Sequence, residues 1–226
     1  NPTMITIGLA DDQPLVRTGF SLLINSQTDM EASWQVADGT QVAHQKPVDI
    51  VLMDIQMPEL NGIEATKQLI AANPDTKVIM LTTFDDEEFV AGAIAAGASG
   101  FLLKDVEPEE LFDAIRLVYD GQAVLAPTAT AHVLELLKHP NQPATPIPSP
   151  AVAELTPRET VILRLIALGL TNQEIADHEY VSMATVKTHV RHILMKTNSR
   201  DRVHAVLFAY RTGVVSTDEL LSGGQV

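Results

Sequence analysis

Five short apolar runs, each followed by a segment of helical period, dominate the first 120 residues and leave few folds open. The runs lie at 4–9, 32–36, 50–55, 78–82 and 101–103, and are rich in Ile, Val, Leu and Met. Helical periodicity appears around 15–24, 40–44, 63–72, 86–96 and 109–119. Strands that are apolar along their whole length, rather than alternately, are buried on both faces, as in a parallel sheet covered by helices on each side. The expectation is an α/β doubly wound domain with a five-stranded parallel sheet, which binds its ligands at the carboxyl ends of the strands.

A different composition takes over further on. Prolines stand at 140, 143, 146, 148 and 150, five of eleven residues, a stretch unsuited to helix or central strand. Ahead of it, Val133, Leu134, Leu136 and Leu137 suggest one short helix over 128–139. Beyond it the strands vanish. Thr156-Pro157-Arg158-Glu159 and Thr171-Asn172-Gln173-Glu174 read as capping boxes that start two helices, ending at Gly169 and near His178. Ser182 is the expected N-cap of a third helix ending near Asn198, and a fourth runs from about Arg200 to Thr212. The expected organisation is a first domain at 4–122, a linker at 123–150, a small all-α four-helix domain at 151–215 and a tail at 216–226.

Charge separates the same parts. The chain carries a net −14, and all of it falls in residues 1–120, where six Lys and Arg meet twenty Asp and Glu. Residues 151–226 hold eight of each sign, but 185–211 place Lys187, Arg191, Lys196, Arg200, Arg202 and Arg211 against Asp201 alone. An acidic domain is thus joined to one with a basic stripe, and the average charge does not exclude nucleic acid as a partner. Cysteine is absent, which removes disulfides and thiolate zinc sites and fits a reducing, cytoplasmic setting. No apolar window is long enough to insert into a membrane. His189 and His192 lie one turn apart, but lack the further ligands a tetrahedral metal site needs.

The expected strand ends carry chemistry. Asp11 and Asp12 follow the first strand, Asp54 ends the third, Thr82 and Thr83 the fourth, and Lys104 follows the fifth. Clustered carboxylates repel one another and call for a cation, and an all-oxygen set suits Mg²⁺ shared with a phosphate. A lysine and a hydroxyl aimed at the same place supply the charge and hydrogen bond that a phosphoryl group needs. A carboxylate can itself be the nucleophile, forming an acyl phosphate, and the central-strand Asp54 is the natural candidate.

In the helix from Ser182, Val186, Val190, Ile193 and Leu194 form a core stripe, while Lys187, Thr188, Arg191 and Met195 fall on the open side. Long basic and hydroxyl side chains so placed suit a helix in the major groove of DNA.

The segments Ala10-Asp11-Asp12, Val51-Leu52-Met53-Asp54-Ile55-Gln56-Met57-Pro58, Leu81-Thr82-Thr83 and Gly100-Phe101-Leu102-Leu103-Lys104 closely resemble the receiver domain of two-component response regulators. The resemblance implies that Asp54 accepts a phosphoryl group from a sensor histidine kinase. It also implies that Asp11, Asp12, Asp54 and the backbone carbonyl of Gln56 hold Mg²⁺, with Asp11 acting largely through water. Thr82 and Lys104 would grip the phosphoryl oxygens, and Phe101 would occupy the aromatic switch position. Two departures stand out: Phe101 lacks the hydroxyl of a tyrosine, and Asp105 follows Lys104 where many receivers have proline.

Residues 153–212 resemble the LuxR-type helix-turn-helix, carried by Leu155-Thr156-Pro157-Arg158-Glu159, the run from Leu168 to Ala176, and Ala184-Thr185-Val186-Lys187-Thr188-His189-Val190. By that resemblance helix 182–197 is the recognition helix. Lys187, Thr188 and Arg191 would read bases, Thr185 and Lys196 would contact phosphate, and Val203, Val206, Leu207 and Tyr210 would form a homodimer contact. The two modules in this order resemble the NarL/FixJ family of response regulators. The implied function is transcription control, in which a phosphorylated dimer binds roughly palindromic promoter DNA. Two alternatives stay open on the residues alone. One is a DNA-binding protein whose receiver is only a scaffold. The other is a phosphohydrolase with an aspartyl nucleophile, though such enzymes usually carry a second acid two residues on, and here Ile55-Gln56 follows Asp54.

Overall fold

A computed structural model of the chain describes residues 3–83, 89–122, 124, 148–216 and 219. It divides into two compact units, residues 1–133 and 134–226.

In the first unit, strands β1 (Ile5–Ala10), β2 (Met30–Val36), β3 (Ile50–Asp54), β4 (Lys77–Thr82) and β5 (Gly100–Leu103) pair in the order β2-β1-β3-β4-β5. Every pairing is parallel. Helices α1 (Pro14–Asn25), α2 (Gly62–Ala72) and α3 (Val90–Ala96) connect them, with a 3-10 turn at Gly39–His44 between β2 and β3, and α4 (Pro108–Tyr119) follows β5. The doubly wound expectation is therefore met. Each residue of β3 is buried, as a central strand covered on both faces requires. One face packs Ile7, Leu9, Ile50, Leu52, Ile79 and Leu81 with Ile24, Leu111 and Ile115 of the helices.

Boundaries follow from local chemistry. Pro14 and Pro108 sit in the first turns of α1 and α4, where a missing N–H costs nothing. Asn61 caps α2 by accepting from the Glu64 N–H, and Gly97, at φ 109°, closes α3 in the left-handed conformation. The segment expected to be helical around 40–44 is only a 3-10 turn, opened by Asp38, whose side chain accepts from the Thr40 N–H. Its neighbour Gly39 is pressed on the chain, since a Cβ there would lie 2.1 Å from the Leu60 carbonyl oxygen. Strand β2 begins two residues earlier than the apolar pattern suggests, at buried Met30. The expected helix over 128–139 and most of the proline-rich stretch lie outside the described residues.

The second unit is helical among its described residues: α5 (Pro150–Glu154), α6 (Pro157–Ala167), α7 (Asn172–Glu179), α8 (Met183–Lys196) and α9 (Arg202–Arg211). Both capping boxes form, with Glu159 and Glu174 reaching back to the N-cap N–H groups of Thr156 and Thr171. Ser182 caps α8, and Asn198 takes the left-handed conformation at φ 50°. Two details differ from expectation. Pro150, read as the end of the spacer, instead opens the short helix α5. The last helix starts at Arg202 because buried Asp201 is its N-cap, accepting from the His204 N–H. Ile162, Leu163, Ile166, Ile175, Val186, Ile193, Ala205 and Ala209 form the core, with Val190 and Leu194 half-buried against it.

Candidate functional site

Parallel pairing brings the carboxyl ends of β1, β3, β4 and β5 to one edge, and the polar residues of interest sit there. Asp54 is the last residue of β3 and Thr82 the last of β4, while Asp11 directly follows β1 and Lys104 directly follows β5. Asp11, Asp54 and Thr82 are buried; Asp12 is exposed. The Lys104 ammonium lies 3.0 Å from Asp11 Oδ2 and 3.0 Å from Asp54 Oδ2, so it bridges the two carboxylates. Asp12 joins them: one oxygen from each of Asp11, Asp12 and Asp54 lies within 4.8 Å of the others.

Electrostatics follow from this placement. Burial and the neighbouring Asp11 carboxylate raise the pKa of Asp54 to about 6, against the opposing pull of Lys104 and the Gln56 N–H. Burial alone would lower Lys104, but its contacts with Asp11 and Asp54 carry it above its ordinary value. A buried carboxylate so disfavoured as an anion is stabilised by any added positive charge. The donor set is oxygen only and partly open to solvent through Asp12, which fits Mg²⁺.

Several supports were not legible in the residues. Asp11 is held by the Gln13 N–H on its Oδ1 at 2.8 Å, and its backbone carbonyl accepts from Arg17 at 2.5 Å. Gly62 seals the loop after β3: its N–H donates to the Ile55 carbonyl at 2.7 Å, and a Cβ would meet the Asp54 carbonyl oxygen at 2.1 Å. Asn61-Gly62 in sequence signals a turn or helix start, but nothing in it announces contact with Asp54. The Gln56 N–H donates to Asp54 Oδ1 at 3.3 Å, and Thr82 Oγ1 donates to the Leu102 carbonyl at 3.3 Å. Phe101 is buried, and Asp105 is exposed.

The basic residues of the second unit do not all share one setting. On α8, Lys187, Thr188 and Arg191 are exposed and Thr185 is half-buried, its hydroxyl 2.8 Å from that of Ser182. Lys196 is engaged elsewhere: its ammonium donates to Glu159 Oε2 at 2.8 Å. Glu159 is only 3% exposed, and although burial pushes its pKa up, Lys196 and the Thr156 N–H hold it below the usual carboxylate range. Lys196 thus has a structural partner that its position on a basic stripe conceals. The residues expected at a dimer contact are partly engaged within their own unit. Val203 and Leu207 are buried, Val206 and Tyr210 pack on the core of their own unit, and the Tyr210 hydroxyl donates to the Ala167 carbonyl at 3.3 Å.

Comparisons with known proteins agree with both halves. Residues 7–116 match the response regulator receiver domain, and residues 153–209 match the bacterial regulatory proteins of the luxR family. The chain is 47% identical to the transcriptional regulatory protein YxjL of Bacillus subtilis (strain 168), over 95% of this chain and 99% of that protein. It is 38% identical to the transcriptional regulatory protein LiaR of the same organism, over 94% of this chain and 100% of that one. A crystal structure of a two-component response regulator of the LuxR family from Aurantimonas sp. SI85-9A1 aligns with 61% of this chain and all of its own. Its TM-score is 0.54 and its identity 28%. With a receiver fold, an acidic pocket at its strand ends and a LuxR-type helical module, the chain belongs to the NarL/FixJ family of two-component response regulators, which regulate transcription.

Proposed function

We propose that this response regulator is switched by phosphorylation of Asp54 and that the switch controls binding of promoter DNA by α8. The carrying observation is the bridge of Lys104 to both Asp54 and Asp11, with Asp12 beside them. A carboxylate, an ammonium and a cluster of oxygens that could hold a metal ion at one point support this reading. With a sensor histidine kinase as donor, an Asp54 carboxylate oxygen forms the new O–P bond as the P–N bond of the kinase's phosphohistidine breaks, its electron pair remaining on the imidazole nitrogen. Asp11, Asp12, Asp54 and the Gln56 carbonyl would hold Mg²⁺, which when bound offsets the charge of carboxylates and phosphoryl oxygens. Lys104 and Thr82 serve the phosphoryl oxygens. To do so, Thr82 gives up its hydrogen bond to the Leu102 carbonyl, in the strand that also carries Phe101.

The receiver then responds as a two-state element. An added phosphoryl brings close to two negative charges and strong acceptors, which favours whichever arrangement pairs them with Lys104 and Thr82. Pairing of two copies, each presenting Lys187, Thr188 and Arg191 of α8, would match two half-sites of promoter DNA. This setting is cytoplasmic, in keeping with a cysteine-free chain in which no described helix is long and apolar enough to cross a membrane. The relatives' role as transcriptional regulators supports a non-enzymatic reading.

The test is intact-mass analysis of the full chain with a small phosphodonor and Mg²⁺, before and after Asp54→Asn. A gain of about 80 Da, one phosphoryl group, in wild type and none in the variant is expected. Undiminished labelling of the variant would move the acceptor elsewhere. Equal promoter affinity with and without phosphodonor would leave the receiver as a scaffold.

A further inference from the structure

The open side of α8 has a composition at odds with a merely solvated face. At 100° per residue, Ala184, Thr188, Arg191 and Met195 fall within a sector of about 60°, directly opposite the buried Val186 and Ile193. All four are exposed, Met195 to 70%. The middle of the face is therefore apolar apart from Arg191, with Lys187 to one side and His192 to the other. A large apolar side chain placed at the centre of an exposed face gains nothing until something covers it.

Thr188 adds to this seam. Its hydroxyl donates to the Ala184 carbonyl at 3.0 Å, the i−4 bond that threonine makes within helices. With the hydroxyl so used, the γ-methyl is the part of the side chain left to meet a partner. Ala184, the Thr188 methyl and the Met195 thioether form an apolar row, with Arg191 set between the last two. From Ala184 to Met195 the row runs eleven residues, about 17 Å of helix, or about five base pairs at 3.4 Å each.

Cations beside an apolar row fit one surface well. Lys187 and Arg191 favour the phosphates and guanine edges of DNA, and the one apolar group that the major groove offers is the 5-methyl of thymine. We propose that the centre of α8 is a thymine reader, in which the Thr188 γ-methyl and the Met195 side chain each pack on a thymine 5-methyl on either side of a base pair read by Arg191. This rests on α8 being the recognition helix, and extends it by naming which bases are read and by which atoms.

The experiment begins with the full-length protein, treated with phosphodonor, selecting binding sites from a random duplex library. Each thymine of the selected half-site is then replaced by uracil, which removes only the 5-methyl. Binding should weaken about fourfold at each contacted thymine, the worth of one buried methyl group. Thr188→Val, which keeps the methyl and loses the hydroxyl, should retain that preference. Thr188→Ser, which does the reverse, should bind thymine and uracil alike at one position, and Met195→Gln at another. Indifference of the wild type to uracil, or loss of the preference in Thr188→Val, overturns thymine reading while α8 remains the recognition helix. Failure to enrich any sequence overturns both together. Uracil sensitivity that survives both Thr188→Ser and Met195→Gln assigns the methyl contact to other residues and overturns the proposal alone.

Discussion

Replacing Asp54 with asparagine in the metal-free protein isolates the electrostatic cost of the pocket. Asp54 is 3% exposed and its pKa stands at about 6, against 3.8 for a free aspartate. The shift of roughly two units, at about 1.4 kcal/mol each, makes the ionised side chain on the order of 3 kcal/mol less favourable in the folded than in the unfolded chain. The sign is that of a carboxyl raised by folding. Between pH 3.8 and about 6 the folded protein holds more protons than the unfolded one, so stability falls as pH rises through that range, and the penalty is complete at pH 7. Asparagine resembles the protonated acid and carries no such penalty, while Lys104 keeps its contact with Asp11. Asp54→Asn should therefore stabilise the receiver unit by about 2–3 kcal/mol at pH 7 in EDTA, by about 0.5 kcal/mol near pH 4, and by almost nothing below about pH 3.

Urea titration followed by tryptophan fluorescence measures this unit alone, because Trp34 is the sole tryptophan and lies on β2, with its indole N–H on the Lys46 carbonyl at 3.1 Å. With a slope of about 2 kcal/mol per molar, the midpoint should rise by about 1–1.5 M. Saturating Mg²⁺ should then stabilise the wild type more than the variant, since it binds the folded state and loses one carboxylate in the variant. An Asp54→Asn protein no more stable than wild type at pH 7, or one whose gain does not shrink in acid, would refute the electrostatic account of the pocket.

The remaining predictions concern both units. Gly62→Ala should cost about 3 kcal/mol, the upper part of the range for overpacking, and should weaken phosphoryl labelling, because the new Cβ would collide with the Asp54 carbonyl; trypsin resistance and mass labelling read the two effects. Lys196→Ala should destabilise the helical unit by about 1–3 kcal/mol, followed by circular dichroism, since it leaves the buried Glu159 carboxylate without its ammonium; a loss of DNA affinity with unchanged stability would restore Lys196 as a phosphate contact. The Glu159 contribution, from a carboxyl held below its ordinary 4.5, should be present above pH 4.5 and lost as pH falls below it, and should disappear in Glu159→Gln. Lys187→Ala and Arg191→Ala should each weaken promoter binding by about 1–3 kcal/mol if they make base contacts, with a shallower salt dependence for each phosphate contact removed; footprints like those of the wild type would remove α8 from the groove.

Much of the architecture is legible without coordinates because it rests on short-range rules. Apolar runs at 50–55 and 78–82 have to be central strands, since residues without polar alternation leave no face for water. Thr156 with Glu159 and Thr171 with Glu174 mark helix starts because a capping box closes over four residues. Asp11, Asp54, Thr82 and Lys104 can be placed at one sheet edge once the strands are taken as parallel, because parallel pairing sends all carboxyl ends one way. The core stripe of α8 follows from its period alone.

Other features depend on which side chain meets which across long stretches of chain. Lys196 and Arg191 are alike as letters, yet Lys196 meets a carboxylate 37 residues away and Arg191 faces outward. Val206 and Tyr210 read as an apolar face for a second copy, and the packing of α9 on α6 leaves them half-buried against their own core. The weakened acidity of Asp54 likewise comes from burial and from Asp11, brought next to it by the pairing of β1 with β3. Local periodicity and turn chemistry determined the elements and the edge where the polar residues gather, because those forces act within a few residues. The partner of each charge, and hence its pKa and its freedom to serve, was decided only by tertiary packing, because Coulomb and desolvation energies depend on distances in space that sequence spacing does not contain.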